Sequence, residues 1–354
     1  MNFDHLDDSE SFVVNPDLRS AVLADGQRRR RRSQHRRLAM SSCTALVLIA
    51  SIVGFGAWAT SRVDRVHVGF SAPPVDLSTA FNVLLIGSDG RSGEPATTDN
   101  ADAVMVVRID PTTSRISVLS IPRDLAIEGA DGPRVAELLR GTPDHLAETI
   151  QRELGIPLSA YVGISFEGLV HIADAFGGLD VAITNDVTDA FSGMDLHATS
   201  CIRLNGEQLL AALRSRRPNA LTNAGPLADT TSDTGRRERQ RALIALLFSQ
   251  ANRLTARPDA LDQITAVAID DLEVDDRIDL TTMMAVAKWF SSTTVDVVVD
   301  DLPTEWTTGQ NQRRVLVVTP HSSPKITEFT SDAITAPRVA AQNDGVIQPF
   351  AACS

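Results

Sequence analysis

Lysine is nearly missing from this 354-residue chain. Lys288 and Lys325 are the two it has, so arginine carries almost all of the positive charge. Arginine presents a planar fork of donors suited to phosphate, where lysine gives a point charge. Other absences exclude whole chemistries. There is no Gly-x-Ser-x-Gly, no His-Glu-x-x-His and no Cys-x-x-Cys. A nucleophile elbow, a zinc-protease helix and a thioredoxin-type redox pair are therefore excluded. The seven histidines are scattered without ligand spacing, and no segment repeats. What remains is ordinary for a globular protein: 43% hydrophobic residues, enough for a sizeable core, in one large domain or two smaller ones.

The formal net charge is −12, but charge is unevenly placed. Arg28 to Arg37 holds seven arginines in ten residues, and Leu38 to Thr60 follows with 23 uncharged residues. A run of that length crosses a roughly 30 Å hydrocarbon core. The abutting arginines predict a single-pass transmembrane helix over 38–60, with a cytoplasmic, basic and mostly disordered segment over 1–37 and an extracytoplasmic main domain. The arginine run faces the membrane in this reading, and no nucleic-acid partner is expected. Cys43 falls in the span. Cys201 and Cys353 fall in the exported part, where a disulfide persists. We expect them to pair, tying the carboxyl terminus to the loop before "LNGEQLL".

Beyond a juxtamembrane stalk at 61–79, the pattern predicts mixed strands and helices. "FNVLLIG", "DAVMVVRID", "RISVLSIP", "AYVGISF", "LDVAI", "VDVVVDD" and "RRVLVVTP" read as strands. "HLAETIQRELG", "EGLVHIADAFGG", "NGEQLLAALRSRR" and "DLTTMMAVAKWF" read as helices, the first two ended by glycine and the third capped by Asn205. A further helix opens at "SDTGRRERQR", after the polar loop "RPNALTNAGPLADTT". The expected class is α/β, a central mixed sheet flanked by helices, over 80–303. A strand and a weakly structured tail are expected over 304–354.

Acids and arginines collect at strand ends, where α/β sheets bind ligands. Asp89 and Arg91 follow the first strand, Asp102 opens the next, and Arg123 and Asp124 follow a third. Two carboxylates near phosphate are how proteins hold Mg²⁺; a turn cap or a surface ion pair is the alternative for each. Arg214 and Arg216 end a helix, where cations are favourable. The arginines of "SDTGRRERQR" stand at a helix amino end, where each cation costs a few tenths to about 1 kcal/mol. Arg236, Arg239 and Gln240, at i, i+3 and i+4, share a face. Glu238 can pair with Arg241, but nothing local neutralises Arg236 or Arg239. A bound anion would, acting on arginines and exposed N–H groups together.

The segments "NVLLIGSDGR", "DAVMVVRIDP", "LSIPRD", "FEGLVHIADAFGGLDV", "LNGEQLLAALRSR" and "DTGRRERQ", in this order, closely resemble the LytR-CpsA-Psr family of membrane-anchored cell-wall glycopolymer ligases. The resemblance implies transfer of a polymer, with its proximal phosphate, from a polyprenyl-pyrophosphate lipid to a peptidoglycan hydroxyl. The lipid would lie in an apolar channel between sheet and helices. Asp89 and Asp102 would hold Mg²⁺. Arg91, Arg123, Arg214, Arg216, Arg236, Arg239 and Gln240 would surround the pyrophosphate, with Asp124 or Asp233 as an orienting group or a base. The chain departs from the family pattern at Asn100 and Ala101, and in "RVAELLRG", which keeps only the basic Arg134. Two other readings share the same anion site: a non-catalytic binder of polyprenyl-phosphate lipid, and a hydrolase of such pyrophosphates.

Overall fold

The computed structural model describes residues 64–66, 69, 72–73, 75–88, 101–139, 143–175, 177–231, 233–255, 272–293, 295–331, 333, 347 and 349–353. All belong to one compact unit, Ala59–Ser354. The arginine run, the apolar stretch 38–60, Asp89 and Arg91 lie outside the described residues. Among the described residues no helix is long and apolar enough to cross a membrane.

The strands, in chain order, begin with β1 (Asp64–Val66), β2 (Phe81–Ser88), β3 (Ala101–Asp110), β4 (Arg115–Ile121) and β5 (Ala160–Ser165). A second group follows: β6 (Leu179–Ile183), β7 (Asp186–Asp189), β8 (Met194–Leu196), β9 (Thr199–Leu204), β10 (Asn219–Thr222) and β11 (Gly225–Ala228). The last are β12 (Leu272–Asp275), β13 (Asp296–Asp301), β14 (Thr304–Thr308), β15 (Arg314–Val318) and β16 (Phe350–Ala351). The helices are α1 (Pro143–Leu154), α2 (Phe166–Ala175), α3 (Gly206–Arg214), α4 (Asp233–Thr255), α5 (Leu280–Ser292) and α6 (Ser322–Thr330).

The central sheet has seven strands in the order β1-β12-β5-β2-β3-β4-β13. It is mixed, as expected: β2 runs antiparallel to β3 but parallel to β5, and β4 runs parallel to β13. Strand alternation gives the sheet two apolar faces. Leu84, Ile86, Val104, Val106, Leu119 and Ile121 point to one face. There α1 covers them with Leu146, Ala147, Ile150 and Leu154, a stripe at helical spacing. Each such fully buried aliphatic side chain stabilises by about 1.5–3 kcal/mol. Met105, Val107, Ile116, Val118 and Val299 point to the opposite face, towards Ala245 of α4 and Trp289 of α5.

A second core joins the three-stranded sheet β16-β6-β9 and the four-stranded sheet β11-β10-β7-β8 to α3 and α4. The turn out of α2 uses Gly177 and Gly178, both at positive φ. At Gly178 (φ +87°) a Cβ would also stand 2.5 Å from the Leu204 carbonyl oxygen, so no other residue fits. The sequence "LNGEQ" forms a capping box: the Asn205 side chain accepts from the Gln208 N–H, and the Gln208 side chain accepts from the Asn205 N–H.

Three expectations change. The polar loop before α4 contains the hairpin β10–β11, which joins a sheet through Ala220 opposite Val187. The stretch expected as a stalk contributes β1, parallel to β12. The tail expected to be weakly structured contains α6, whose Phe329 is fully buried in the main core. β14 and β15 form a two-stranded antiparallel sheet of their own, and Phe329 ties α6 to the main core.

The carboxyl terminus then returns. Phe350 and Ala351 add as β16 to β6, the Pro349 carbonyl accepts from the Thr184 N–H at 2.9 Å, and Cys353 is disulfide-bonded to Cys201 with a Cα–Cα distance of 5.1 Å.

Candidate active site

The exposed ends of β2, β3 and β5 open onto a cavity of about 650 Å³, roofed by α2, α3 and α4. Because β2 and β5 are parallel, their carboxyl ends meet at this edge, the usual ligand-binding edge of an open α/β sheet. Most of the lining is apolar, including Leu85, Met105, Ile164, Leu169, Leu210 and Leu213. The polar lining is dominated by cations: Arg214, Arg216, Arg217 and Arg236, joined by Gln240 and one carboxylate, Asp102. The expected Arg214, Arg216, Arg236, Gln240 and Asp102 thus converge on one cavity.

Arg239 does not join them. Counted from Arg236, Arg239 falls short of a full helical turn and Gln240 passes just beyond it. At about 100° per residue Gln240 lies roughly 40° from Arg236, whereas Arg239 lies roughly 60° to the other side. That rotation turns its guanidinium into the second core, where its side chain is 0% exposed. Nη1 donates to Asp229 Oδ2 at 2.6 Å and to the Ile347 carbonyl at 2.8 Å, and Nη2 donates to the Ser215 carbonyl at 2.9 Å. Arg239 is therefore a structural cation, and the expectation that nothing nearby neutralises it is corrected by Asp229. Burial lowers the Arg239 pKa, and the Asp229 carboxylate opposes that pull. At Asp229 burial opposes ionisation, yet donors from Thr231, Arg239 and the Ile347 N–H hold the carboxyl below its ordinary range.

The remaining charges of α4 are partly absorbed. Glu238 pairs with Arg241, as the spacing predicts, and Arg241 also reaches Asp301 at 3.5 Å. Gln240 donates to the Leu213 carbonyl at 3.0 Å, bracing α4 against the end of α3.

The acidic side of the site is also paired. Arg123 forms a salt bridge with the lining carboxylate Asp102 and is not itself part of the cavity lining, where it was expected beside the pyrophosphate. Asp124 accepts from Arg134 Nη1 at 3.2 Å, and Arg134 Nη2 donates to the Arg314 carbonyl at 3.1 Å. The basic residue kept in "RVAELLRG" thus holds Asp124, leaving that carboxylate engaged rather than idle. Ser88, the last residue of β2, is in register with Ala101, next to Asp102. Asp89 and Arg91 lie outside the described residues, and nothing is described of the Asp233 side chain. Among the described residues no group of three metal-ligating side chains occurs.

Several lining residues escaped the sequence reading. Arg217 lies 5.6 Å over the Phe191 ring, and Arg214 lies 5.3 Å over the Phe166 ring. Arg217 could have been read from "RSRR", where it adjoins two chosen arginines. Phe191 carries no local signal, since it comes from the turn between β7 and β8.

The LytR_cpsA_psr family profile matches residues 59–325. Among curated relatives, the polyisoprenyl-teichoic acid–peptidoglycan teichoic acid transferase TagU of Bacillus mycoides is 26% identical over 208 residues, 58% of this chain and 63% of the relative. TagV of Bacillus subtilis, of the same designation, is 26% identical over 213 residues, 56% of this chain and 50% of the relative. The chain therefore spans less than two thirds of the length of either. The structure of a LytR-Csp2A-Psr enzyme from Actinomyces oris superposes with a TM-score of 0.60 at 22% identity, covering 76% of this chain and 96% of that one, a likeness of fold.

Proposed function

The chain belongs to the LytR_cpsA_psr family, and from that premise we propose that it is a membrane-anchored, Mg²⁺-dependent phosphotransferase. It would move a glycopolymer from a polyprenyl-pyrophosphate carrier to a peptidoglycan hydroxyl. The relatives named as teichoic acid transferases support a glycopolymer-transferase role at the family level.

The observation that carries this reading is the division of one cavity into a long apolar wall and a cluster of four arginines. A prenyl chain suits the first and a pyrophosphate the second. The acceptor hydroxyl oxygen attacks the proximal phosphorus, the bond to the bridging oxygen breaks, and polyprenyl phosphate leaves, its freed oxygen able to take up the proton the hydroxyl gives up. Such transfer needs charge neutralisation and in-line positioning more than covalent help from the protein. Arg214, Arg216, Arg217 and Arg236 would supply the neutralisation, Arg236 from a buried position, where it is worth more than in bulk solvent, and the other three from exposed ones. Gln240 orients within the same lining, and Arg123 fixes the rotamer of Asp102.

Asp102 fits Mg²⁺, which keeps most of its waters and needs only one or two carboxylates; Asp89 would be the second. When bound, the ion would spread the charge that develops on the phosphate oxygens. Residues 38–60 would anchor the chain, with 1–37 on the cytoplasmic side and the domain outside.

The test incubates the purified chain with lipid-pyrophosphate-linked glycan, Mg²⁺ and peptidoglycan. Covalent, phosphate-containing transfer is expected, lost on chelation and in Asp102→Ala. Lipid binding without transfer would leave the non-catalytic binder, and release of free glycan phosphate to water would leave the hydrolase.

A further inference from the structure

Part of the cavity rim is assembled from two distant stretches of chain. Phe191 comes from the turn between β7 and β8, and Arg216 and Arg217 come from the segment just past α3. One carboxylate, not itself part of the lining, holds both. Asp189 is 1% exposed. Its Oδ1 accepts from the Phe191 N–H at 3.0 Å. Its Oδ2 accepts from the Ser215 hydroxyl at 2.8 Å and from the N–H groups of Arg216 at 3.0 Å and Arg217 at 2.9 Å.

These donors occupy the acceptor capacity of a carboxylate, roughly four sites. They also satisfy the backbone N–H groups of Arg216 and Arg217, which lie past the end of α3 at Arg214. Burial opposes ionisation of Asp189, and the donors from Arg217, Ser215, Phe191 and Arg216 more than offset it, holding the carboxyl below its ordinary range. The stack of Arg217 on Phe191, a ring 85% exposed, completes the link from the outside.

We propose that Asp189 is a positioning residue that fixes Phe191, Arg216 and Arg217 as a preformed rim, so that the arginines meet a diphosphate without first being ordered. That the anion is a diphosphate rests on the functional reading above; the clamp itself does not. Pre-organisation of this kind removes the ordering cost from binding. An uncharged amide cannot replace the carboxylate. If its oxygen serves Ser215, Arg216 and Arg217, its NH₂ confronts the Phe191 N–H, donor against donor.

The experiment uses the full chain and Asp189→Asn, with two probes, inorganic pyrophosphate for the arginines and farnesol for the apolar wall. Amide hydrogen exchange is followed in peptides covering 189–193 and 215–217. The expected result is exchange about tenfold faster in those peptides alone, together with pyrophosphate binding about tenfold weaker and farnesol binding unchanged, the size of effect that loss of a charged hydrogen bond gives. Unchanged exchange in both peptides would overturn the proposal. So would faster exchange across the whole domain with both probes lost, which would make Asp189 a general fold residue. If the unsubstituted chain binds no pyrophosphate, the anion reading fails, and the exchange measurement still decides the clamp.

Discussion

Replacing Arg239 by methionine should destabilise the domain rather than merely disarm it. The side chain is 0% exposed, as is its partner Asp229. Its removal strands a buried carboxylate and takes the donors from the Ser215 and Ile347 carbonyls. Breaking a buried ion pair from one side costs about 3–5 kcal/mol, a large share of the roughly 5–15 kcal/mol that stabilises a domain. Denaturant unfolding of the purified chain, read by circular dichroism, should show a midpoint shift of that size. Combining Arg239→Met with Asp229→Asn should recover part of the loss, because the buried charge goes with its partner. Arg236→Ala, three residues away and buried but on the cavity lining, provides the contrast: weakened pyrophosphate binding with a smaller loss of stability than Arg239→Met. The reasoning would be refuted if Arg239→Met unfolded within about 1 kcal/mol of the parent yet lost pyrophosphate as Arg236→Ala does, for that is how a ligand-binding arginine behaves.

Gln240→Ala should weaken pyrophosphate binding, and Arg237→Ala, off the cavity, should leave it unchanged by calorimetry. Reduction of Cys201–Cys353, or Cys353→Ser, should lower the melting temperature by calorimetry. The cross-link spans 152 residues of sequence, and the chain-entropy account gives roughly 5 kcal/mol for a loop of that size as an upper value. Acid should destabilise the domain through Asp189 and Asp229. Both have folded pKa values below the ordinary 3.8, so the unfolded chain binds protons first. Their contribution is complete above that value and disappears as pH falls through the folded pKa. Urea midpoints should therefore fall as pH drops below about 4, and Asp229→Asn should flatten that slope.

Five strands of the central sheet, β2, β3, β4, β5 and β13, were legible as runs rich in apolar residues bounded by turn residues such as "PTTS", whereas β1 and β12, three and four residues long, were not. The helices around the cavity were legible through their caps, Asn205 above all. β10 and β11 were not: four residues each, they carry too little alternation to announce a hairpin, and their pairing depends on Val187, more than thirty residues away in sequence. At the site, spacing identified the α4 face that carries Arg236 and Gln240. It failed at Arg239 because i, i+3 and i+4 neighbours span about 100° of helix, wide enough for one edge of a face to look into a core. Asp229 gave a signal that could have been read, an acid just upstream of the helix. The matching carbonyl of Ile347, 108 residues on, left no local trace.

That return of the terminus has a consequence for biogenesis. A chain is made from its amino end, so α4 and its arginines emerge long before the backbone that completes them. Until Ile347 arrives, Asp229 lacks the Ile347 N–H and Arg239 lacks one of its acceptors. Arg239 also holds the Ser215 carbonyl, between the lining residues Arg214 and Arg216, so a nascent chain that has emerged only through residue 344 should show a less ordered arginine end of the cavity.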